Sequence, residues 1–236
     1  MHLKQFFWTP LGLWYYIKYM NSTNFNTHIV GRAGSGKTFF ISNQASALLK
    51  EGKKVLFIDY YKVDTFPEAP SLVINHLVTF GNDFDNFKYE DLEKMLKDFL
   101  QKNSSAKIII SVPEIGDERA RRICDLLTDY ILNNQEFFAD YFIFIDEIFR
   151  FNPVKIQQLL SESKNNHISY TFVYQYLEQF SKEVTDKWLN TCKNIIFSIS
   201  PDDSAYIAGA YGLDPDSLHS LKQYEYKELG PLDSNH

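Results

Sequence analysis

The chain has 236 residues, of which 44% are hydrophobic and 23% charged, with only 10 glycines and 8 prolines. This composition excludes collagen-like, low-complexity and disordered chains, and the length suits one globular domain with a continuous core. The 30 acidic residues outnumber the 24 basic ones, so the net charge of −6 provides no general affinity for nucleic acid. Basic groups that contact a polyanion would have to be concentrated in a pore or groove.

The first 26 residues form an aromatic N-terminal segment, densest over residues 6–20. A membrane-spanning helix needs about 20 apolar residues in a row. This run is shorter, and Pro10, Gly12 and Lys18 interrupt it. The segment also lacks the small-residue cleavage site of a signal peptide. We therefore expect a protein that is neither secreted nor embedded in a membrane, with a segment that packs on its own domain, on a neighbouring subunit or at a membrane interface.

From residue 27 onward, short apolar runs alternate with segments of helical periodicity. Strands are predicted at 27–30, 54–59, 107–112, 141–145, 168–174, 194–199 and 224–229. Helices are predicted at 37–50, 89–102, 117–131, from 153 onward, 177–189 and 202–211. No regular element is predicted between residues 60 and 88. The alternation favours one three-layer α/β domain over residues 27–236, with a mostly parallel sheet covered on both faces.

The first predicted strand leads into the sequence GRAGSGKT at residues 31–38, which matches the phosphate-binding pattern G-x-x-x-x-G-K-[ST] in full. Backbone N–H groups of such a turn wrap nucleotide phosphates, and the helix that follows adds the positive end of its dipole. Lys37 is expected to reach the β- and γ-phosphates, and the Thr38 hydroxyl to ligate Mg²⁺, so ATP and Mg²⁺ are the predicted cofactors. The expected nucleotide-binding residues are Gly31, Arg32, Ala33, Gly34, Ser35, Gly36, Lys37, Thr38 and Phe39.

Asp146 and Glu147 directly follow the most apolar predicted strand, YFIFI at 141–145. An acid at this end of a buried parallel strand points into the crevice where a nucleotide binds. Asp146 is expected to hold the metal, mostly through water, and Glu147 to polarise the attacking water as general base. Since a nucleotide kinase needs no such base, the adjacent glutamate indicates hydrolysis.

Gln175 comes just after the predicted strand 168–174. If that strand lies between the strands that precede the P-loop and Asp146, Gln175 can contact the γ-phosphate or orient the water. On position alone, a solvated glutamine is the more frequent situation. Asp59, at the end of the second predicted strand, is a weaker candidate for the same crevice.

The order of these motifs resembles the FtsK–HerA superfamily of DNA-pumping ATPases over about residues 27–229. The resemblance lies in GRAGSGKT, in FIFIDEIFRF at 142–151 and in HISYTFVYQYLEQF at 167–180. Residues 188–229 resemble the end of the core of conjugative coupling proteins. The resemblance implies a three-layer P-loop NTPase fold of the RecA/FtsK–HerA type. It also implies a homo-hexameric ring with ATP between subunits, DNA held in the pore without sequence specificity, and Gln175 as the sensor of the γ-phosphate.

One arginine that is frequent in this superfamily has no obvious counterpart in the present sequence. Relatives often carry an arginine where this chain has Glu162, Ser163 and Lys164. The arginine that acts on a neighbouring subunit is therefore expected at Arg150, which is our catalytic candidate. The alternative is the cluster formed by Arg119, Arg121 and Arg122.

The small size of the chain resembles that of virion genome-packaging ATPases. This implies an ATP-driven DNA translocase in the host cytoplasm or at a virion vertex, with residues 1–26 able to dock on a capsid vertex or a membrane-associated protein. Cys124 and Cys192 show no metal or disulfide spacing, which suits a reducing compartment. The alternatives are a conjugative DNA-transfer ATPase and a protein-remodelling or virion-assembly ATPase that does not move DNA.

Overall fold

The computed structural model describes residues 26–60, 69–74, 89–110 and 115–232. The strands in this part are β1 (Thr27–Val30), β2 (Lys54–Asp59), β3 (Ser71–Ile74), β4 (Ala106–Ile110), β5 (Tyr141–Ile145), β6 (Ser169–Tyr174), β7 (Lys193–Ile196) and β8 (Lys227–Leu229). The helices are α1 (Lys37–Lys50), α2 (Tyr89–Lys102), α3 (Asp117–Asn133), α4 (Pro153–Ser163), α5 (Lys182–Thr191), α6 (Pro201–Tyr211) and α7 (Asp216–His219). Apart from Asn26, the N-terminal segment predicted for docking lies outside the described residues.

All these strands belong to one sheet, in the order β3-β4-β2-β5-β6-β1-β7-β8. Neighbouring strands are parallel except for β7 and β8, which are antiparallel. Successive residues of a strand face opposite sides, and in β1 Ile29 belongs to one hydrophobic core while Val30 belongs to the other. The predicted three-layer α/β fold with a mostly parallel sheet is thus confirmed.

The two cores differ in size and in the helices that cover them. The smaller core packs the apolar face of α1, including Phe40 and Ile41, against the sheet. The larger core takes the buried faces of α2 to α6 on the opposite side. Among the described helices, α1, which follows the P-loop, is therefore the one that packs on the smaller-core face of the sheet.

None of the described helices has the length and apolar composition that crossing a bilayer requires.

The structure corrects four of the predicted elements. The predicted strand 194–199 ends at Ile196. Strand β3 lies in the stretch where no element was expected. The predicted helix 177–189 is a 3₁₀ turn (Leu177–Gln179) followed by α5, because residues 180 and 181 adopt extended backbone. The predicted strand 224–229 begins only at Lys227, since Tyr224 has a left-handed φ of 67° and donates its N–H to the Ser35 carbonyl at 2.8 Å.

A buried polar network lies inside the sheet, centred on His28 of β1. The Asn194 Oδ1 atom lies 2.5 Å from His28 Nδ1, and the Asn194 Nδ2 atom donates to other groups, so Nδ1 carries the imidazole proton. His28 Nε2 then accepts from the Tyr174 hydroxyl. Burial lowers the pKa of His28 to about 4, and the hydrogen bond that His28 donates to Asn194 opposes this shift in part. The network fixes Tyr174, the residue before Gln175.

Replacing His28 by glutamine is expected to reduce the loss of folding stability as the pH falls below about 7.5. His28 is neutral in the folded chain down to a pKa of about 4, whereas an unfolded histidine binds a proton near pH 6.5. Stability of the wild type therefore falls, relative to His28→Gln, by about 2 to 3 kcal/mol between about pH 7.5 and pH 4.5. Urea unfolding of both proteins measures this difference. Parallel stability curves across that range would contradict the assignment, and no divergence is expected above pH 7.5.

Candidate active site

The candidate residues lie at the carboxyl ends of three adjacent strands. The P-loop follows β1, Asp146 and Glu147 follow β5, and Gln175 follows β6. Strand β6 lies between β5 and β1, which is the condition under which Gln175 was expected to reach the nucleotide. The carboxyl ends of parallel strands meet at one edge of the sheet, where ligands of open α/β sheets bind.

The P-loop is a tight turn whose conformation depends on its glycines. Gly34 and Gly36 have φ angles of 74° and 108°, in the left-handed region that favours glycine. A Cβ atom on Gly31 would lie 2.5 Å from the Phe197 Cβ, so only glycine lets the loop approach the end of β7 this closely. The Arg32 N–H donates to the Ser198 carbonyl at 2.7 Å and ties the loop to the same segment.

Lys37 folds its ammonium group back over this turn. Its Nζ atom donates to the carbonyls of Gly31 and Arg32 at 2.5 and 2.9 Å, and the residue is only 7% exposed. Burial lowers the pKa of Lys37, while the charges of Asp146 and Glu147 oppose that shift. The cation therefore sits inside the loop, bonded to backbone carbonyls that a phosphate group could replace.

Thr38 and Asp146 offer a pair of oxygen ligands beside the P-loop. The Thr38 hydroxyl donates to the Asp146 Oδ2 atom at 3.0 Å. Burial, and then the neighbouring charge of Glu147, raises the pKa of Asp146 to about 6. No cluster of three His, Cys, Asp or Glu side chains suited to a metal occurs in the described part of the chain. Two oxygens are nonetheless what Mg²⁺ takes from a protein when phosphates and water complete its shell, so Thr38 and Asp146 fit that ion.

Glu147 is held by Gln175. The Gln175 Nε2 atom donates to Glu147 Oε1 at 2.8 Å, whereas the buried Oε2 atom accepts no hydrogen bond from the described residues. Glu147 has a φ of 55°, a strained conformation for a non-glycine residue that is common at active sites. The Oε2 atom is thus a buried acceptor whose hydrogen-bonding capacity a bound water molecule would satisfy.

Gln179 supports this pair and was missed by the sequence analysis. Its Oε1 atom accepts hydrogen bonds from the N–H groups of Gln175 and Tyr176, both at 3.1 Å. This side chain turns the backbone at the end of β6 and so orients the Gln175 side chain. Nothing in the local pattern distinguishes Gln179 from a solvated glutamine.

The remaining acidic candidate, Asp59, forms a buried ion pair with Lys107 at 2.9 Å. The Asp59 carboxylate is therefore occupied by an ammonium from β4. Its negative charge still contributes to the raised pKa of Asp146. Asp59 acts on the site through charge.

Arg150 is engaged within its own chain. Its guanidinium pairs with Asp117 and lies 5.1 Å from the centre of the Tyr60 ring. Arg121 bonds the same carboxylate at 3.1 Å, and the Tyr60 hydroxyl donates to it at 3.3 Å. The Asp117 carboxylate therefore binds both Arg150 and Arg121, a member of the alternative arginine cluster.

No family model matches the chain, and no curated protein is similar to it in sequence. Solved structures do match. The genome packaging NTPase B204 of Sulfolobus turreted icosahedral virus 2, with AMP, superimposes with a TM-score of 0.59 at 13% identity, covering 90% of this chain and 94% of B204. VirB4 of Thermoanaerobacter pseudethanolicus gives 0.61 at 12% identity, covering 84% of each chain.

The bacterial conjugative coupling protein TrwB, in the form TrwBΔN70, gives a TM-score of 0.66 at 11% identity, covering 89% of this chain and 83% of that chain. At such low identity these matches concern the fold. The fold that they share with this chain is the predicted three-layer P-loop NTPase fold.

Proposed function

We propose that this chain is an ATPase motor that moves DNA as a homo-oligomeric ring and packages a viral genome. The observation that carries the hydrolytic part is the Gln175–Glu147 hydrogen bond at 2.8 Å, next to the Thr38–Asp146 pair. These contacts support the proposed roles of Gln175 as sensor, Glu147 as base and Thr38 and Asp146 as metal ligands at one edge of the sheet. The fold shared with B204, a packaging NTPase by its description, supports the choice of packaging.

The chemistry follows from these positions. Lys37 exchanges its bonds to the Gly31 and Arg32 carbonyls for phosphate oxygens. Thr38 and Asp146 would hold Mg²⁺, which would supply neutralisation of the phosphate charge when bound. The free oxygen of Glu147 accepts a proton from water as the water oxygen bonds to the γ-phosphorus and the bond to the β–γ bridging oxygen breaks. ADP and phosphate are the products.

Gln175 couples this step to the rest of the ring in the proposed mechanism. Its amide contacts the base directly, while its backbone is fixed by Gln179. A shift of β6 would therefore move the glutamine relative to Glu147. A subunit that grips DNA and one that releases it differ, in this proposal, in that contact.

Steady-state ATP hydrolysis with and without double- and single-stranded DNA tests the function. We expect DNA to stimulate turnover, and the stimulation to fall steeply with salt because phosphate contacts release counterions. The Glu147→Gln variant, which should bind ATP without hydrolysing it, is the negative control. Turnover that ignores both kinds of DNA in an assembled ring would overturn the motor and favour an ATPase that remodels protein partners.

Conjugative DNA transfer is the second candidate. TrwB, described as a conjugative coupling protein, has the highest TM-score of the three structures compared above. Packaging and conjugation are distinguished by the partner. Co-purification with a capsid vertex would support packaging, whereas co-purification with a conjugative relaxosome would support transfer.

Replacing Gln175 by alanine is expected to preserve ATP affinity and to remove most of the DNA stimulation. The substitution deletes the donor to Glu147 Oε1 and leaves the P-loop contacts in place. Turnover is measured over a DNA titration. Gln158→Ala, an exposed glutamine on α4, is the matched control and should titrate like the wild type. A Gln175→Ala protein that responds fully to DNA would refute the sensor role.

Arg150 is proposed to act on the nucleotide of a neighbouring subunit, exchanging Asp117 for the γ-phosphate. Mixing tests this. Arg150→Ala subunits and Lys37→Ala subunits, each inactive alone, should regain turnover together because each supplies what the other lacks. Absence of rescue in mixed rings whose thermal unfolding matches the wild type would shift the role to Arg119, Arg121 or Arg122.

A further inference from the structure

Two exposed aromatic rings lie beside the P-loop. Phe39, directly after Thr38, is 46% exposed, and Tyr224 is 45% exposed. Their ring centres are 5.7 Å apart and their planes are inclined at 67°. Large apolar side chains exposed together mark a contact surface for a ligand or partner, since each would otherwise gain from burial.

Tyr224 is held in this place by the P-loop itself. Its N–H donates to the Ser35 carbonyl at 2.8 Å, and the Gln223 side-chain amide donates to the Gly34 carbonyl at 3.0 Å. The ring lies so close to Gly36 that a Cβ atom there would be 2.5 Å from Tyr224 Cδ1. Residues 223 and 224 are thus hydrogen-bonded directly to the P-loop.

The backbone of Tyr224 is strained. Its φ of 67° is rare for a bulky residue. Strained residues of this kind persist where the surrounding structure fixes them, and they occur often at ligand clamps. The ring of this strained residue lies edge-on against the ring of Phe39.

We propose that Phe39 and Tyr224 form the nucleobase site of the nucleotide whose phosphates bind the P-loop. The inference rests on the proposed function, because it takes the P-loop ligand to be a nucleoside triphosphate. A base is flat and aromatic, and it stacks on such rings while its phosphates lie on the adjacent N–H groups. Because Phe39 directly follows the Mg²⁺ candidate Thr38, a base on its ring would lie beside the bound phosphates.

The chemistry of this site predicts broad base tolerance. Stacking on aromatic rings discriminates weakly, because every base has a π-face. The polar side chains next to Tyr224 have other contacts: the Gln223 amide donates to Gly34, and the Glu225 carboxylate accepts from the Lys222 N–H. The substrate class is therefore nucleoside triphosphates in general, with ATP and GTP bound within about fivefold of each other.

Equilibrium binding of Mg–ATP, Mg–GTP and inorganic tripolyphosphate with Mg²⁺ tests the site. Tyr224→Ala and Phe39→Ala should each weaken both nucleotides by about tenfold or more. Tripolyphosphate, which has no base, should bind as to the wild type. Tyr224→Phe keeps an aromatic side chain at this position and should bind ATP like the wild type. Phe137→Ala, which removes another exposed aromatic ring, is the control and should change none of the three affinities.

Two results would overturn the proposal. One is ATP affinity unchanged in both alanine variants. The other is an equal loss of ATP and tripolyphosphate, which would mean that the rings support only the shape of the P-loop. Hydrolysis and DNA do not enter this measurement. If DNA fails to stimulate turnover while ATP binding still depends on the aromatic side chains of Phe39 and Tyr224, the motor function is refuted and the base site is supported.

Discussion

Replacing Glu147 by glutamine is expected to lower ATP turnover by about 10²- to 10⁴-fold, the usual contribution of a general base. Mg–ATP affinity should be retained, because Lys37, Thr38 and Asp146 are untouched. The new amide carbonyl can still accept the Gln175 hydrogen bond that Glu147 Oε1 accepts at 2.8 Å. The change therefore removes proton acceptance with little disturbance of geometry.

Single-turnover hydrolysis measures the chemical step, and a fluorescent ATP analogue measures binding in the same preparation. Glu183→Gln, an exposed glutamate in the first turn of α5, is the matched control and should hydrolyse ATP like the wild type. If Glu147→Gln retained half of the wild-type rate, another group would be the base. If the variant lost ATP affinity instead, Glu147 would serve binding.

The buried strands could be predicted from the sequence where their apolar runs are continuous. Strand β5, YFIFI, was predicted with the bounds that the structure has, since a parallel strand buried on both faces reads as one apolar run. Strand β3 was missed because its four residues, SLVI, follow Pro70 and are only partly buried at the edge of the sheet. Its identity depends on pairing with β4, which no local pattern encodes.

The candidate site divides in the same way. The P-loop is one continuous stretch of sequence, and Asp146 and Glu147 are neighbours in sequence. The residue types and spacing within each motif were therefore enough to predict it. The contact of Gln175 with Glu147 depended on the strand order, which places β6 between β5 and β1. The Gln223–Gly34 contact joins residues 189 positions apart, and the left-handed Tyr224 has no signature in its neighbours. Such contacts follow from tertiary structure alone.

Replacing Lys37 by alanine is expected to lower kcat/KM for ATP by about 10³-fold or more, with a loss in nucleotide affinity as well. The ammonium is the P-loop's own cation and lies inside the turn, where burial makes a charge-assisted bond to phosphate strong. In the free protein it bonds two backbone carbonyls, and a phosphate offers it anionic acceptors instead. Both ground-state binding and the transferring phosphoryl group therefore lose a partner.

Binding of Mg–ATP and of inorganic tripolyphosphate separates this effect from that of the aromatic rings. Lys37→Ala should weaken both ligands, because the ammonium contacts phosphate oxygens whether or not a base is attached. Lys50→Ala, at the exposed end of the same helix, is the control and should bind both like the wild type. A Lys37→Ala protein that folds and binds tripolyphosphate normally would mean that the phosphates lie elsewhere, and the assignment of residues 31–38 as the nucleotide site would fall with it.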